Sequence, residues 1–482
     1  MLTYSFEQMN GPIYEYLYEC IRRDILNGRL KAGEKLPSKR SFAENHGIST
    51  ITVQNAYEQL ISEGYIFAVP KKGYYVAEVS APTEEDVPAQ AQVPAQTQTP
   101  GRPAFPEMID LSGNRTDPEQ FPFSIWARLL RNTISSRQAA LMVPSPTQGI
   151  PELRNAIAGH LRSFRGVSVS PDQIVIGAGT EYLYGLLVQL LGNDKVYCVE
   201  NPGYKKLTRI YAEYQIKCRY AGMDARGIRI GDLEKTGAQI AHISPTHHFP
   251  SGITMPVTRR YEVLFWAAAA PAGERYIIED DYDSEFRQNG RPIPPLIGID
   301  RLEKVIYINT FSKSLAPTIR ISYMVLPPHL AERFRERLSF YSCTVSNFEQ
   351  YTLAEFISGG YFEKHINRMR LFYRKRRAAI LKCLAESRLG SRCTVSENDS
   401  GLHFLLKLDT VLPDREIERR LAERGIRLQA LSEYYLNDEE AGGGDGRRKS
   451  GKTRNSHLFL LNYSNVDPEE LKKAADIIAE CL

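Results

Sequence analysis

Lys313 lies in the run Thr310-Phe311-Ser312-Lys313, with Arg320 seven residues further on. Upstream, the apolar segment Ile277-Ile278-Glu279-Asp280-Asp281-Tyr282 ends on carboxylates and a phenol. A neutral lysine amine can bond a carbonyl carbon, and a guanidinium is a permanently charged fork for phosphate. A carboxylate such as Asp280 can pair with a ring N–H, and the Tyr282 phenol can bond a ring oxygen. Ala178-Gly179-Thr180 follows another apolar run and opens a helical stretch, where backbone N–H groups form an anion site. Asn201-Pro202-Gly203-Tyr204 offers an aromatic ring for stacking. Amine, anion, phosphate cradle and ring are together the supports that pyridoxal 5'-phosphate (PLP) requires. Singly each is weak, since a lysine after a strand is usually a surface lysine and Asp-x-Tyr usually a strand end. Their order along one chain is what gives them weight.

All of these residues stand at the ends of short apolar runs. Candidate strands are 174–176, 195–199, 240–244, 275–279, 305–308 and 323–326, with helical stretches between them. That alternation predicts an α/β fold with a mainly parallel sheet and ligands at the strand carboxyl ends. A chain of 482 residues suggests two or three domains. The boundary falls in 81–107, a Pro-, Ala-, Gln- and Thr-rich stretch that reads as an extended linker between residues 1–80 and 108–482. A second biased stretch, 437–455, reads as a surface loop without assigned function. Seven scattered cysteines with no Cys-x-x-Cys pair argue for a reduced, cytoplasmic protein without a structural metal. The N-terminus shows no signal-peptide pattern, and no apolar run approaches a membrane span.

The first 80 residues carry nine Lys/Arg against nine Asp/Glu, so nucleic-acid binding has to be argued from placement. Ile13, Leu17, Ile21 and Ile25 repeat at helical spacing up to Gly28. Ser38 is an N-cap candidate for a second helix, and a turn at Gly47 leads to a third from Ser49. Helix, glycine turn, helix is the form of a helix-turn-helix, whose second helix reads the major groove. Ser49, Thr50, Thr52 and Gln54 are the short polar groups able to reach bases, and Lys39 and Arg40 are placed for phosphate. Strands at 65–69 and 74–79, joined by Pro70-Lys71-Lys72-Gly73, make a wing with Lys71 and Lys72 at its tip.

The stretch from Ile25 to Ile66, with Gly28-Arg29-Leu30, Leu36-Pro37-Ser38, Thr52-Val53, Ala56-Tyr57 and Gly64-Tyr65, resembles the winged helix of GntR-type bacterial repressors. The later motifs, with Gln148-Gly149-Ile150-Pro151-Glu152-Leu153-Arg154, resemble the class I/II aminotransferases of PLP fold-type I. The two in this order resemble the MocR subfamily of transcription regulators. That resemblance implies a parallel-rich sheet with flanking helices and a smaller C-terminal subdomain. It implies Lys313 as the Schiff-base lysine, Asp280 at the pyridinium and Tyr282 at the ring oxygen. Ala178, Gly179, Thr180, Thr310, Ser312 and Arg320 are then at the phosphate, and Tyr204 stacks on the ring. It also implies a head-to-tail homodimer, double-stranded operator DNA as partner, and an amine or amino acid effector that forms an external aldimine and alters operator binding.

Three departures bear on turnover. Where many aminotransferases carry an asparagine before Pro-Ser-Gly this chain has Phe249, with His247 and His248 as partial substitutes. Pro144 stands at the place of a tyrosine that reaches a neighbour's phosphate, and the segment 457–463 lacks the arginine that grips an α-carboxylate. Lys206 and Arg427 remain as candidates for an effector carboxylate. A working aminotransferase with an accessory DNA domain, a regulator of vitamin B6 metabolism sensing PLP itself, and a bare winged-helix repressor are the rival expectations. The basic run Arg368, Arg370, Arg374, Lys375, Arg376 and Arg377 reads as a solvated or subunit-bridging helix face.

Overall fold

The computed structural model describes residues 4, 12–79, 108–113, 117–269, 275–287, 293–396, 401–436, 456–464 and 466–482. The stretches 81–107 and 437–455 lie outside the described residues. Contacts divide the chain into two units, Met1–Ala104 and Phe105–Leu482.

In the smaller unit, α1 (Ile13–Leu26) buries Leu17, Cys20, Ile21 and Ile25 along one face. After the short β1 (Lys35–Leu36), α2 (Lys39–His46) begins at Ser38, whose Oγ accepts from the Ser41 N–H at 3.1 Å. It ends at Gly47, whose φ of 63° is the left-handed conformation that glycine adopts without strain. α3 (Thr50–Ser62) buries Val53, Ala56, Tyr57 and Leu60 against α1 and α2. The wing is β2 (Ile66–Val69) and β3 (Gly73–Val76), shorter at its far end than the sequence suggests. β1 adds to β3 as a third, antiparallel strand, too short to show as a period in the sequence.

In the larger unit, β4 (Ile109–Asp110) is followed by the main sheet. Its strands are β5 (Ile174–Gly177), β6 (Val196–Asn201), β7 (Lys217–Asp224), β8 (Gly227–Ile228), β9 (Ile240–Ile243), β10 (Tyr276–Asp280), β11 (Val305–Thr310) and β12 (Ser322–Val325). The spatial order is β5-β12-β11-β10-β9-β6-β7-β8. From β11 to β7 every pairing is parallel, whereas β12 is antiparallel to both its neighbours. The segment between β11 and β12 holds only a one-turn helix, Phe311–Ser314, too short for a crossover, so the chain returns antiparallel. Helices cover both faces, so β5, β9 and β11 are buried along their whole length and read as continuous apolar runs.

The C-terminal part adds β13 (Cys393–Ser396), β14 (His403–Leu408), β15 (Ile426–Arg427), β16 (Gln429–Ala430) and β17 (Leu458–Asn462). Four of these form an antiparallel sheet in the order β13-β14-β17-β16, and β15 pairs with β4. The helices Tyr361–Glu386 and Pro468–Cys481 share a core with it through Tyr373, Phe404, Phe459 and Ile478. The basic run on the first of these helices is not simply a solvated face. Arg368 donates to the Gln120 carbonyl at 3.0 Å, Arg370 to the Glu285 carbonyl at 2.6 Å, and Arg376 pairs with Asp117 at 2.8 Å. Among the described residues, no helix is long and apolar enough to cross a membrane.

Candidate functional site

The carboxyl ends of β6, β9, β10 and β11 open on a cavity of about 300 Å³. It brings together Thr180, Tyr204, Lys206, Asp280, Tyr282, Thr310, Ser312, Lys313 and Arg320, far apart in the chain and expected from the sequence to share a site. Lys313 sits in the one-turn helix directly after β11, started by Thr310, whose Oγ1 accepts from the Ser312 N–H at 3.1 Å. Burial pushes the Lys313 ammonium down from 10.5 to about 8, against the opposing pull of the Asp283 carboxylate. An appreciable fraction of this amine is therefore neutral and nucleophilic near neutral pH.

Asp280 ends β10. Its Oδ2 accepts from the Tyr184 hydroxyl at 2.7 Å and lies 3.7 Å from His242 Nε2. His242 is held in turn by Tyr211, Oη to Nδ1 2.7 Å. Oδ1 of Asp280 is buried and has no hydrogen-bond partner. A buried carboxylate oxygen left open in this way costs free energy until a donor arrives, and a protonated ring nitrogen is such a donor. Tyr184 and His242 were not expected from the sequence. The signal available was a histidine inside the otherwise apolar strand β9 and a tyrosine one helical turn after Thr180.

Tyr282 is largely buried, and burial together with the nearby Asp283, Asp280 and Asp281 carboxylates holds its phenol well above the usual range. Its Oη lies 3.2 Å from His247 Nδ1, and the same nitrogen lies 2.9 and 3.0 Å from the two Asp283 oxygens. A carboxylate can only accept, so Nδ1 carries the proton and Tyr282 Oη accepts a share of it. The phenol's own proton is then left to point into the cavity. His247 thus stands behind Tyr282, while His248 lines the cavity beside Glu200, 3.6 Å away. His248 is kept neutral by burial, its pKa lowered to about 3, and burial raises Glu200 to about 8. His247, Asp283 and His403 bring ligand atoms within 4.8 Å of one another, a grouping able to hold a metal. Those atoms are already engaged with each other and with the Pro250 carbonyl, 3.2 Å from His403 Nε2.

The end expected to hold an anion is built from the turn before the helix Thr180–Leu191. Gly179 has φ 95°, and a methyl there would collide with the Arg320 guanidinium, so the arginine lies directly on the turn. Ala178 and Gly179 do not line the cavity: the Ala178 N–H is taken by Thr344 Oγ1 at 3.0 Å and that of Gly179 by the Gly177 carbonyl at 2.8 Å. Ser312 Oγ donates to the Ile319 carbonyl at 3.2 Å, and Thr310 Oγ1 accepts from Ser322 Oγ at 2.8 Å. Glu181 also lines this end. It pairs with Lys206 and lies 3.6 Å from Arg320 Nη2, and these two cations hold its carboxyl below its usual range. Tyr204 stands edge-on to Phe249 at the cavity mouth, ring centres 5.9 Å apart. Arg427 is elsewhere, 3.7 Å from Asp110 on a separate groove that shares Tyr204 and Lys206 with the cavity.

In the smaller unit Ser49, Thr50, Arg40, Lys71 and Lys72 are exposed, and Lys39, Thr52 and Gln54 are partly so. Ser49 Oγ is engaged in capping α3, and Gln54 Nε2 donates to Glu58 at 2.7 Å. Arg40 pairs with Glu44 at 3.2 Å, an exposed contact that a phosphate can displace. The exposed Ile51, between Thr50 and Thr52, is the further side chain on this face that the polar reading passed over.

A fold-type I sheet with a buried lysine at its carboxyl edge, joined to a winged helix, defines a DNA-binding regulator built on an aminotransferase scaffold. Residues 13–76 match the family of bacterial regulatory proteins named gntR, and residues 106–478 match aminotransferase class I and II. The chain is 38% identical to the uncharacterised HTH-type transcriptional regulator YhdI of Bacillus subtilis, over 88% of this chain and 89% of that one. It is 31% identical to the probable rhizopine catabolism regulatory protein MocR of Rhizobium meliloti, over 96% and 92%. To the HTH-type pyridoxine biosynthesis transcriptional regulator PdxR of Corynebacterium glutamicum it is 30% identical, over 87% and 88%. The fold of the larger unit is that of a kynurenine aminotransferase from Pyrococcus horikoshii, with a TM-score of 0.65 at 24% identity, over 78% of this chain and 91% of that one. The chain belongs to the MocR subfamily of GntR-type transcription regulators, and it is a transcription regulator with an aminotransferase-like domain.

Proposed function

We propose that the regulator binds PLP in the cavity around Lys313 and changes its grip on operator DNA when an amine or amino acid enters that cavity. The observation that carries this reading is the buried, unpartnered Oδ1 of Asp280 in the same cavity as a lysine poised to lose its proton. The residues fit the group: Asp280 Oδ1 for the ring nitrogen, Tyr282 for the ring oxygen, Tyr204 for the ring face, and Arg320 with Thr180 for the phosphate. Bound there, PLP supplies an aldehyde carbon that reacts reversibly with amines. Lys313 provides one amine, Tyr282 a directed proton, and the apolar wall of Val199, Leu207 and Phe249 keeps bulk water from the reacting end.

Efficient amino-group transfer is disfavoured by this chain's own residues. Phe249 takes the place of a polar partner, and it packs against His403 and Tyr434 rather than reaching for a ligand. β17 runs through the centre of its sheet with Phe459, Leu460 and Leu461 buried, leaving no cation there to orient a carboxylate. The effector's differential affinity for two arrangements of the protein then sets operator occupancy, with a coupling typically of about 1–3 kcal/mol. DNA contact falls to Lys39, Arg40, Ser49, Thr50, Thr52, Gln54, Lys71 and Lys72, with 81–107 as linker and two copies of the chain spanning paired half-sites.

The test is an absorbance spectrum of wild type beside Lys313→Ala, with an amine panel, followed by operator binding under the same conditions. A bound-cofactor band that changes in the variant and shifts with one amine without turnover supports the reading. A wild type that takes up no PLP overturns it. The second reading, that PLP itself is the effector, is favoured by the likeness to a pyridoxine biosynthesis regulator. It requires PLP alone to change operator affinity.

A further inference from the structure

Glu181 is an anion placed where the proposed cofactor's own anion has to go. It lies in the first turn of the helix Thr180–Leu191, paired with Lys206 on one side and 3.6 Å from Arg320 Nη2 on the other. Arg320 is half exposed, and its guanidinium lies over the Gly179 turn. A phosphate held at that turn would therefore meet the guanidinium beside the Glu181 carboxylate. The Ala178 and Gly179 N–H groups are spent on Thr344 and Gly177, so more of the task of offsetting a second negative charge falls to Arg320.

We propose that Glu181 is a specificity-determining residue that competes with the cofactor phosphate for Arg320, with Lys206 as the restraint that draws the carboxylate aside. The inference rests on PLP as the cofactor of this cavity. A phosphate dianion sharing one guanidinium with a carboxylate is held less tightly than on Arg320 alone. The same arrangement occupies Lys206, which is thereby not a free receptor for an effector's carboxylate. Cofactor occupancy then follows its concentration instead of being permanent.

The experiment is a spectral titration of the full-length, cofactor-free protein with PLP and, separately, with pyridoxal, which lacks the phosphate. Glu181→Gln is expected to tighten PLP roughly fivefold and to leave pyridoxal unchanged. Lys206→Met is expected to weaken PLP in the wild-type background and to have a smaller effect beside Glu181→Gln, because its restraint then has nothing to restrain. Equal PLP affinity in wild type and Glu181→Gln, or an equal change for pyridoxal, overturns the role of Glu181 alone. If wild type binds neither ligand, the cofactor assignment itself falls, and this inference with it.

Discussion

Replacing Lys313 with methionine should make the cofactor-free larger unit more stable at neutral pH, and the gain should shrink as pH rises. Burial lowers the Lys313 ammonium from 10.5 to about 8. The unfolded chain keeps the ordinary affinity for that proton, so between these values it binds more protons than the folded chain. Stability contributed by this group therefore rises with pH through the window from about 8 to 10.5, and the full penalty is present below it. The gap of about 2.5 corresponds to roughly 3 kcal/mol at about pH 7, falling to roughly 1.5 kcal/mol near pH 9.5. The residue is partly exposed to the cavity it lines, so solvent screening makes these figures upper values.

Methionine keeps the length of the side chain without its charge, and any packing difference is independent of pH. Both tryptophans, Trp126 and Trp266, lie in the larger unit, so urea unfolding followed by tryptophan fluorescence of the full-length protein reports that unit. The stability difference between variant and wild type should fall by about 2 kcal/mol between the two pH values. A difference that stays constant with pH would refute the argument that Lys313 is held in an environment hostile to its charge. The nucleophilic amine on which the proposed site depends would then lack its physical basis.

Asp280→Ala should weaken PLP by at least about tenfold, as expected for the loss of one member of a buried charge pair. The same variant should leave the melting temperature of the cofactor-free protein unchanged or raise it, because it removes a buried carboxylate with one open oxygen; a parallel loss of stability would mean that Asp280 serves the fold and not a ligand. Gly401→Ala should destabilise the larger unit by more than about 3 kcal/mol in the same unfolding assay, since a methyl group there falls inside the His247 ring and the backbone φ is 78°. Lys71→Ala with Lys72→Ala should weaken operator and random duplex alike and reduce the salt slope of binding by about two. A selective loss on operator would show that the wing reads bases.

The strands that carry the site were legible because they are buried on both faces, and each places its chemistry at its last residue: Asp280 on β10, Thr310 on β11, Glu200 near the end of β6. β7 was missed because its residues, Lys-Cys-Arg-Tyr-Ala-Gly-Met-Asp, alternate irregularly and only two are fully buried. The C-terminal sheet escaped for a related reason: β15 and β16 are two residues each and owe their existence to partners distant in sequence. In the site, the residues that would touch a ligand were readable from type and order. Those that hold them in place were not, since Tyr184 and His242 meet Asp280, and Tyr211 meets His242, only through the packing of two helices against the sheet. The Ala178 and Gly179 N–H groups show the converse, a cradle legible in sequence whose donors are partly spent within the fold.

Phe249 changes what is asked of Tyr282. With an apolar ring where many aminotransferases carry a polar partner, Tyr282 is the donor that the proposed function leaves to a cofactor's ring oxygen. Its proton is free to point inward because His247 Nδ1, facing Asp283, can only donate to it. The support has therefore shifted along the same loop, from the position of Phe249 to His247, whose ring is held by Asp283 in a pair that Gly401 admits by having no side chain. Such a site holds one arrangement of its ligand firmly and offers little to the successive proton shifts that turnover demands. That is the behaviour the proposed function asks of this domain.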